Sequence, residues 1–380
     1  MDFSFTPDQE NLRSHLQELL GAVCPAEYAQ RCDQEAQPPR EAYEALGKHG
    51  WLGLNISPEY GGSGGSAIEL AILLEECGRH FEELAMWVFR TMTYGGYAVA
   101  QHGTAEQKTS LLPKVARGEL SFCFALTEPH SGSDAAALST RATAREGGFV
   151  IDGQKVFTSG MDISDYCLLV TRTSTGAKKQ AGITNFLVDT KLPGIDIRKI
   201  ATLGQRAIGT TQVFYNEVTV PASAALGEVD RGWDAVDAYL WYERLCLSAA
   251  RTGAATAAFD YALDYAKNRE QFGRPIGKFQ AISHKLADMK VMLDLSRMLT
   301  YRFAWLLDQG KATRHDAAVV KLYTGESYKA VSDMGLQILG GYGYCMEYPM
   351  QRFFRDSRLA VIGAGTSEIQ RNIIARGLGL

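Results

Sequence analysis

Hydrophobic residues in the first 120 positions recur three or four residues apart, which is the period of a helix that buries one face. Leu12, Leu16 and Leu20 form such a stripe, and Thr6 stands where it can cap the start of the helix. A second helical segment, AIELAILLEECGRHFEEL, follows the loop SPEYGGSGGS, which is rich in glycine and serine. We therefore expect residues 1–120 to form a helical domain.

Between residues 121 and 230 the pattern changes to short runs of β-branched and aromatic residues, separated by glycine and proline. The segment GGFVIDGQKVFTSG places Asp152 and Gly153 between two such runs, which predicts a β-hairpin that turns at this pair. The runs YCLLVTRT, ITNFLVD and TTQVFYNEVTVP are further predicted strands. This part of the chain is predicted to be a mostly antiparallel β domain.

From residue 231 to 380 the helical period returns, and the predicted helices are long. One of them carries two apolar stripes, the first including Leu295 and Phe303 and the second including Leu286 and Met289. Two stripes on one helix indicate burial on two sides, as in a bundle or at a subunit interface. The order helical, β, helical predicts an α+β protein that is mostly α.

The composition and charge of the chain exclude some classes of function. The chain has 380 residues with a formal net charge of −4, which argues against a general nucleic-acid binder. No uninterrupted apolar run approaches membrane-spanning length, and the N-terminus shows no signal-peptide pattern, so we expect a cytoplasmic, bacterial protein. The seven cysteines are scattered without CxxC pairs, so we expect reduced, mostly buried thiols and no metal site.

Two loop segments have the composition of ligand-binding loops. FALTEPHSGSDAAAL combines backbone donors, two hydroxyls and a glycine, which suits a ring with polar edges, although a polar turn between strands would look the same. NREQFGRPIGKFQAISHK places Arg269 at the end of a helix, where it can pair with a phosphate or simply lie at the surface.

Three further segments raise a chemical question. QILGGYGY reads as a helix stop. VIGAGTSEIQRNIIAR sets a small-residue turn against a helix, and such a turn allows close approach to a ligand but holds no proton-transferring group. WYERLCLSAA places Glu243 and Arg244 in an apolar helix, where a carboxylate is unfavourable unless it is paired or functional. A buried ion pair and a wet helix face are the alternatives.

In this order and spacing the motifs resemble those of the acyl-CoA dehydrogenase family, flavoproteins that oxidise acyl-CoA thioesters in fatty acid or amino acid catabolism. The likeness runs from MDFSFTPDQ through LGLNISPEYGG, ALTEPHSGSD, DGQKVFTSG, LGQRAIGTT, NREQFGRPIGKFQAI and LGGYGY to GTSEIQRNIIAR. It implies an N-terminal helical domain, a middle β domain and a C-terminal four-helix bundle over the three ranges above. It also implies FAD at a subunit interface, a homotetramer or dimer, and an electron-transferring flavoprotein as electron acceptor.

The resemblance also implies which residues bind the cofactor. Phe157 matches an aromatic beside the flavin, Ser159 a hydroxyl at the flavin N5 edge, and Ser133 a contact to both the flavin and the CoA arm. The matches in the flavin loop are Phe124, Leu126 and Thr127, and those at the FAD diphosphate and adenosine are Arg269, Phe272 and Gln280. The matches in a segment contributed by the neighbouring subunit are Gln337, Gly340 and Gly341, and those in the GTSE turn are Thr366 and Glu368.

Many family members carry the catalytic glutamate where this chain has Ala364. A minority, of the isovaleryl and long-chain type, carry it on a bundle helix immediately before an arginine, and Glu243 before Arg244 fits that pattern. The resemblance then implies that Glu243 takes the α-proton while the β-hydride passes to flavin N5, giving a trans-2-enoyl-CoA. The backbone N–H of Ala364 would still bind the thioester oxygen, because it survives the change of side chain.

The acyl pocket is predicted near the segment MWVFRTMTYGGY, with Arg90 towards its closed end, where it would meet a polar or anionic acyl terminus. The alternative is that Arg90 faces solvent or another subunit. Tyr242 and Arg244, on either side of Glu243, are further candidate substrate contacts.

Three other functions are compatible with the motifs. The enzyme could oxidise an acyl or aminoacyl group on a carrier protein, or run in reverse as an enoyl-CoA reductase. A flavin-binding scaffold without catalysis is the third, and Glu243 argues against it.

Overall fold

The computed structural model describes residues 4–380, and its first third is helical. Thr6 caps the first helix by accepting a hydrogen bond from Gln9 N, and Leu16 and Leu20 are buried, as the stripe predicts. The seven residues Thr91–Tyr97 are π-helical, a rare geometry that is often found at functional sites. The helices are α1 (Pro7–Val23), α2 (Ala26–Glu35), α3 (Arg40–Lys48), α4 (Ala67–His80), α5 (Glu82–Arg90), α6 (Ala98–His102) and α7 (Ala105–Ala116).

An eight-stranded sheet follows. Its strands are β1 (Phe122–Ala125), β2 (Arg141–Arg145), β3 (Gly148–Ser159), β4 (Tyr166–Arg172), β5 (Ile183–Asp189), β6 (Ile195–Ile200), β7 (Thr210–Pro221) and β8 (Ala225–Leu226). They lie in the order β6-β7-β3-β2-β4-β5-β8, with β1 also paired to β4. Only the pairings of β1 and β2 with β4 are parallel within this sheet, which confirms a mostly antiparallel β domain.

The hairpin predicted at Asp152 and Gly153 is wrong. Both residues lie inside β3, and the turn between β2 and β3 falls at residues 146–147 instead. The pairing of β3 with β7 shifts register at the Asp152–Gly153 pair, so these residues form an irregularity within the strand. Asp152 Oδ1 accepts a hydrogen bond of 2.8 Å from Glu217 N, which satisfies the carboxylate without a turn.

The last third is helical apart from a short hairpin whose two strands are two residues long each. Its elements are α8 (Gly232–Asn268), β9 (Glu270–Gln271), β10 (Arg274–Pro275), α9 (Gln280–Asp308), α10 (Arg314–Leu339), α11 (Met350–Ala360) and α12 (Ser367–Gly377). Helix α10 packs against each of the other four helices. It ends at Leu339, and the next residue, Gly340, has a φ of +61°, outside the helical region, so the predicted helix stop is present.

Helix α8 is held against α4 by two glycines. A Cβ on Gly78 would lie 2.0 Å from Ala250 O, and one on Gly253 would lie 1.9 Å from Glu75 O. The two backbones therefore touch, with no room for a side chain between them. Because Glu243 lies on α8 two to three turns before this contact, its position relative to the N-terminal helices is fixed.

The two apolar stripes of α9 have different environments. Leu286, Met289 and Leu293 are buried among the neighbouring helices. The other stripe is buried at Phe303, whereas Leu295 is 42% exposed. One stripe therefore joins the bundle, and the other is covered only near its C-terminal end.

Three carboxylates are buried together where α5, α11 and the loop before β7 meet. Glu83 Oε2 accepts a hydrogen bond of 2.7 Å from Ile208 N, and Asp356 Oδ1 accepts one of 2.6 Å from Gln205 N. Burial, reinforced by the charge of Asp356, raises the pKa of Glu82 to about 7. Burial likewise raises the pKa of Asp356 to about 6.

We expect Glu82→Gln to raise Tm relative to the wild type progressively between pH 5 and pH 8. A carboxyl whose pKa is raised on folding binds more protons in the native state, so its contribution to stability falls as pH rises through the folded pKa. At pH 5 both side chains are neutral, whereas at pH 8 only the wild type carries the buried charge, a difference on the order of 2–3 kcal/mol. Differential scanning fluorimetry across this range measures it, with the exposed Glu44→Gln as control. A Tm difference that does not change with pH would contradict the shift.

Among residues 4–380, no helix combines the length and the apolar character needed to cross a bilayer. The seven cysteines are all free thiols, and six of them are buried, as the scattered spacing predicts. Cys345 is exposed. In the described part of the chain no three His, Cys, Asp or Glu side chains cluster in a way that could hold a metal ion.

Candidate active site

Glu243, the carboxylate predicted to be the base, lies inside the protein on α8. It is partly buried, and Tyr94 lies beside it and favours its ionised form. Burial raises the pKa of Glu243 above its ordinary value of 4.5, while the charges of Arg244 and Arg90 oppose this rise. The result is a carboxylate that is more basic than one in water and that has cations nearby to stabilise its ionised form.

Aromatic rings wall the space around Glu243. Tyr94, on the π-helical segment, stacks on Phe124 with ring centroids 4.5 Å apart. Tyr97, on the same segment, stacks on Tyr242 at 4.3 Å. Asn55 Nδ2 donates a hydrogen bond of 3.0 Å to the hydroxyl of Tyr242 and holds that ring in place. We call the region between these rings and Glu243 the chamber.

Two arginines approach the chamber from opposite helices. Arg244 is buried on α8, and its Nε and Nη1 have no hydrogen-bond partner among the described residues. Arg90 is partly buried at the end of α5, where its Nη1 donates to Met86 O at 2.9 Å. Arg90 and Glu243 act on each other's charge, and Arg90 is only partly exposed.

The small-residue turn Gly363–Gly365 is held from behind by two side chains. Ala364 has a φ of +56°, which is uncommon for a residue other than glycine. Lys321 Nζ donates to Gly365 O at 2.5 Å, and Gln370 Nε2 donates to the same oxygen at 2.9 Å. These bonds fix the peptide planes that follow Ala364 and therefore the orientation of the turn that carries its N–H.

The same lysine links the turn to Glu243. Burial, together with the charges of Arg251 and Arg244, lowers the pKa of Lys321 to about 7, and the charges of Glu243 and Glu368 oppose the change. The turn and Glu243 therefore belong to one electrostatic environment, as expected if both face the same substrate.

A buried ion pair supports the loop that follows β1. Lys155 Nζ lies 2.9 Å from Glu128 Oε1 and also donates to Leu126 O, while Val156 N donates to Thr127 O. Burial alone would raise the pKa of Glu128, but the Lys155 ammonium and hydrogen bonds from the main chain and side chain of Thr140 lower it to about 2. Because the loop carbonyls are tied to β3, the Thr127 N–H, which is opposite Leu126 O across the peptide, points away from β3.

The hydroxyl and aromatic groups predicted to meet the flavin lie at the end of β3 and in the neighbouring loop. Phe157 has a φ of +56° at a break in the β3–β7 register and is 64% exposed. Ser159 Oγ lies 3.2 Å from Thr210 Oγ1. Ser133 is exposed in the loop between β1 and β2. The strand break thus turns a large aromatic ring outward, where it can pack on a flat ligand.

A groove of about 670 Å³ brings two distant predicted segments together within one chain. Arg269, Phe272 and Gly341 all line it. The Arg269 guanidinium lies 5.5 Å from the ring of Tyr342, and Phe272 is 94% exposed. The other predicted residues here are exposed, and each adjoins a lining residue in sequence: Gln280, Gln337 and Gly340.

Thr366 and Glu368 begin α12. Thr366 Oγ1 accepts a hydrogen bond from Ile369 N and caps the helix, which is a structural use of that hydroxyl. Glu368 is exposed in the first turn, and main-chain hydrogen bonding there lowers its pKa. Both residues stand next to the turn that carries Ala364.

The sequence did not predict the roles that four residues have at this site: Asn55, Tyr94, Lys321 and Gln370. Lys321 had a usable signal, because AAVVKLY places a lysine inside an apolar helical run in the way that WYERL places Glu243. Tyr94 lies in the segment predicted to border the acyl pocket, but its position beside Glu243 depends on the π-helical turn, which the pattern does not reveal.

The residues present fit FAD. The Arg269 guanidinium has no carboxylate within 4.0 Å among residues 4–380, so it is free to bind a diphosphate, and aromatic rings beside it offer faces for an adenine. At β3 the exposed Phe157 ring and the outward Thr127 N–H provide a face and a donor for a polar-edged ring system.

Three family models match the chain in sequence. They are the N-terminal domain of acyl-CoA dehydrogenases over residues 6–119, the middle domain over 123–218 and the C-terminal domain over 230–379. The chain therefore belongs to the acyl-CoA dehydrogenase family. Members are oxidoreductases acting on CH–CH bonds with FAD as cofactor.

Individual relatives are similar along almost their whole length. The chain is 35% identical to a probable acyl-CoA dehydrogenase, YngJ, of Bacillus subtilis, covering 100% of each chain. It is 35% identical to the mitochondrial isovaleryl-CoA dehydrogenase of Oryza sativa, covering 99% of this chain and 92% of that one. Among solved structures, a glutaryl-coenzyme A dehydrogenase in complex with glutaryl-CoA superposes with a TM-score of 0.96 at 30% identity, covering 100% of this chain and 97% of the other.

Proposed function

We propose that this enzyme removes the α-proton of an acyl-CoA thioester with Glu243 during FAD-dependent α,β-dehydrogenation. The observation that carries the proposal is the shared environment of a partly buried glutamate and the Ala364 turn, in a chain whose turn has no carboxylate of its own. Fixing a base beside the acidic C–H in a water-poor space is what proton abstraction next to a thioester requires.

The residues around Glu243 have different roles in proton transfer. Tyr94 lies beside the carboxylate and favours its ionised form. Burial makes the carboxylate a better proton acceptor, and the Arg244 and Arg90 charges keep it from becoming permanently protonated. Across the chamber, we assign the Ala364 N–H to the thioester oxygen, where it stabilises the negative charge that develops as the proton leaves.

For the cofactor, we assign Phe124, Leu126, Thr127, Phe157 and Ser159 to the flavin. Arg269 and Phe272 take the diphosphate and adenosine, with the segment 337–341 beside them. Bound FAD supplies the two-electron acceptor for the β-hydride, with an electron-transferring flavoprotein as the proposed next acceptor. Ser133, Tyr242 and Arg244 are assigned to the substrate.

An anaerobic flavin-bleaching panel tests this function. Purified holoenzyme is mixed with isovaleryl-, butyryl-, pentanoyl-, octanoyl- and glutaryl-CoA in turn, and the flavin absorbance is followed. We expect at least one thioester to reduce the flavin. No bleaching by any CoA ester, in folded protein that retains FAD, would contradict the proposal and favour a carrier-protein thioester.

We also propose that two copies of the chain associate through α9. Val291, Leu295, Met298 and Trp305 are each more than two-fifths exposed and lie on one face of this helix. Leu295 also belongs to the stripe that is buried at Phe303, so this exposed face borders an existing core. A cytoplasmic location and a tetrameric assembly remain predictions.

We expect the paired substitution Leu295→Asp and Met298→Asp to shift the protein to a smaller oligomer in size-exclusion chromatography with light scattering. Each change would place a charge in an apolar contact, which is unfavourable without a partner. Val229→Asp is the control, because Val229 is similarly exposed, at 43%, but lies outside α9. Unchanged mass in the paired variant would place the interface elsewhere.

A further inference from the structure

A guanidinium without a counter-ion lies next to the proposed base. Arg90 donates one hydrogen bond, to the neutral carbonyl of Met86, and its guanidinium carbon lies 5.2 Å from the Phe89 ring centre. Among residues 4–380 no carboxylate oxygen lies within 4.0 Å of it, and no other hydrogen-bond acceptor is in place. Arg90 is partly buried, and a guanidinium whose remaining donors have no partner in the described chain is well placed to bind an anion.

Glu243 does not fill this role. Of the two cations that stabilise its ionised form, Arg244 exerts the larger effect and Arg90 the smaller. Glu243 must also turn its carboxylate towards the α-carbon of the substrate, and Tyr94 also favours its ionised form. The ionised form of Glu243 is therefore stabilised without Arg90, and the remaining N–H groups of Arg90 have no assigned acceptor.

The surroundings favour an anion from outside the chain. Arg90, Arg244, Arg251 and Lys321 all act on the charge of Glu243. Glu83 also acts on Arg90, Asp237 on Arg244 and Glu82 on Arg251, but none of these carboxylates forms an ion pair with its arginine within 4.0 Å. The three guanidinium groups are therefore unpaired within the described chain, and the low local dielectric strengthens their attraction for an incoming negative group.

We propose that the acyl group of the substrate carries a carboxylate near its far end and that Arg90 binds it. This specificity rests on the proposed function, because it assumes that an acyl thioester enters the chamber. A guanidinium presents its donors as a planar fork that matches a carboxylate, so Arg90 would select for an anion and not merely for a polar end.

The effect that Arg90 and Glu243 have on each other's charge favours a short acyl group, because the α-carbon must lie at Glu243. A glutaryl chain, which carries its carboxylate at the end far from the thioester, is therefore the test case for the proposal.

Binding of two non-oxidisable CoA thioethers tests the proposal without turnover. The 4-carboxybutyl and pentyl thioethers of CoA have the same length, lack the thioester carbonyl, and differ only in carrying a carboxylate or a methyl group. Isothermal titration of the holoenzyme should show the carboxylate form binding about 10- to 100-fold more tightly, the range of one buried charge-assisted contact. Arg90→Met should abolish the preference, and Arg90→Lys should keep part of it.

Matched measurements separate the possible failures. Arg145→Met, a change at an exposed arginine of β2, should keep the full preference. Equal binding of both thioethers, with flavin reduction by pentanoyl-CoA but not by glutaryl-CoA, would overturn the anionic specificity and leave the dehydrogenase function intact. Failure of both thioethers to bind, with no flavin reduction by any thioester, would overturn the specificity and the proposed function together.

Discussion

Replacing Glu243 by glutamine should slow flavin reduction by the best thioester roughly 10²- to 10⁴-fold, the usual contribution of a positioned general base. Glutamine keeps the shape of the side chain and can still contact Tyr94, but it cannot accept the α-proton. Because Ala364 offers no second carboxylate, nothing in the turn would replace the base. Stopped-flow absorbance under anaerobic conditions measures the reduction directly.

The exposed Glu44→Gln on α3 is the matched control and should reduce at the wild-type rate. FAD content and the affinity for the pentyl thioether should be unchanged in Glu243→Gln, since neither depends on proton removal. A variant that reduces at the wild-type rate would show that another group is the base.

The pH profile gives an independent reading of the same residue. Glu243 must be ionised to accept a proton, so the reduction rate should fall as the pH drops through its pKa. Burial raises that pKa above 4.5, so the acid limb should lie above that value. Arg90→Met should move the limb further towards neutral pH, because Arg90 favours the ionised form.

Lys321→Met should lower the reduction rate at saturating thioester by up to about 10²-fold, approaching the effect of losing one oxyanion donor. The substitution removes the 2.5 Å bond to Gly365 O, which leaves Gln370 alone to hold the turn that carries the Ala364 N–H. The side-chain volume is nearly retained, so the chamber keeps its shape. Stopped-flow reduction again provides the measurement.

The thioethers distinguish positioning from general damage in this variant. They have no carbonyl oxygen and do not use the Ala364 N–H, so their affinity should be unaffected. Lys321→Arg, which can still donate a hydrogen bond, should recover part of the rate. Loss of thioether affinity in step with the rate would mean that Lys321 supports the fold and not the orientation of the turn.

The sequence predicted elements with strong periodicity and failed where geometry depends on distant partners. The stripe of α1 and the helix stop at Gly340 were visible because each is a local pattern. Asp152 and Gly153 resemble a hairpin turn equally well, but pairing with β7 keeps them inside one strand, and that pairing is not a local property.

The candidate site shows the same division. Glu243 stood out because a carboxylate in an apolar helix needs an explanation, and its approach to the Ala364 turn then depended on how the helices pack. The hydrogen bonds from Lys321 and Gln370 to the turn join α10 and α12 to the segment between α11 and α12. Because they depend on how the helices pack, no local spacing in the sequence predicts them. The burial of Arg90 was left open for the same reason.

The π-helical segment Thr91–Tyr97 has a consequence for how this enzyme can diversify. A π-helical turn holds one more residue than the α-helical turn it replaces, and its neighbours keep their own packing. Loss of a single codon there would relax the segment to an α-helix and rotate Tyr94 relative to Arg90. A new acyl specificity would then arise by one deletion, a route that comparisons restricted to amino-acid substitutions would overlook.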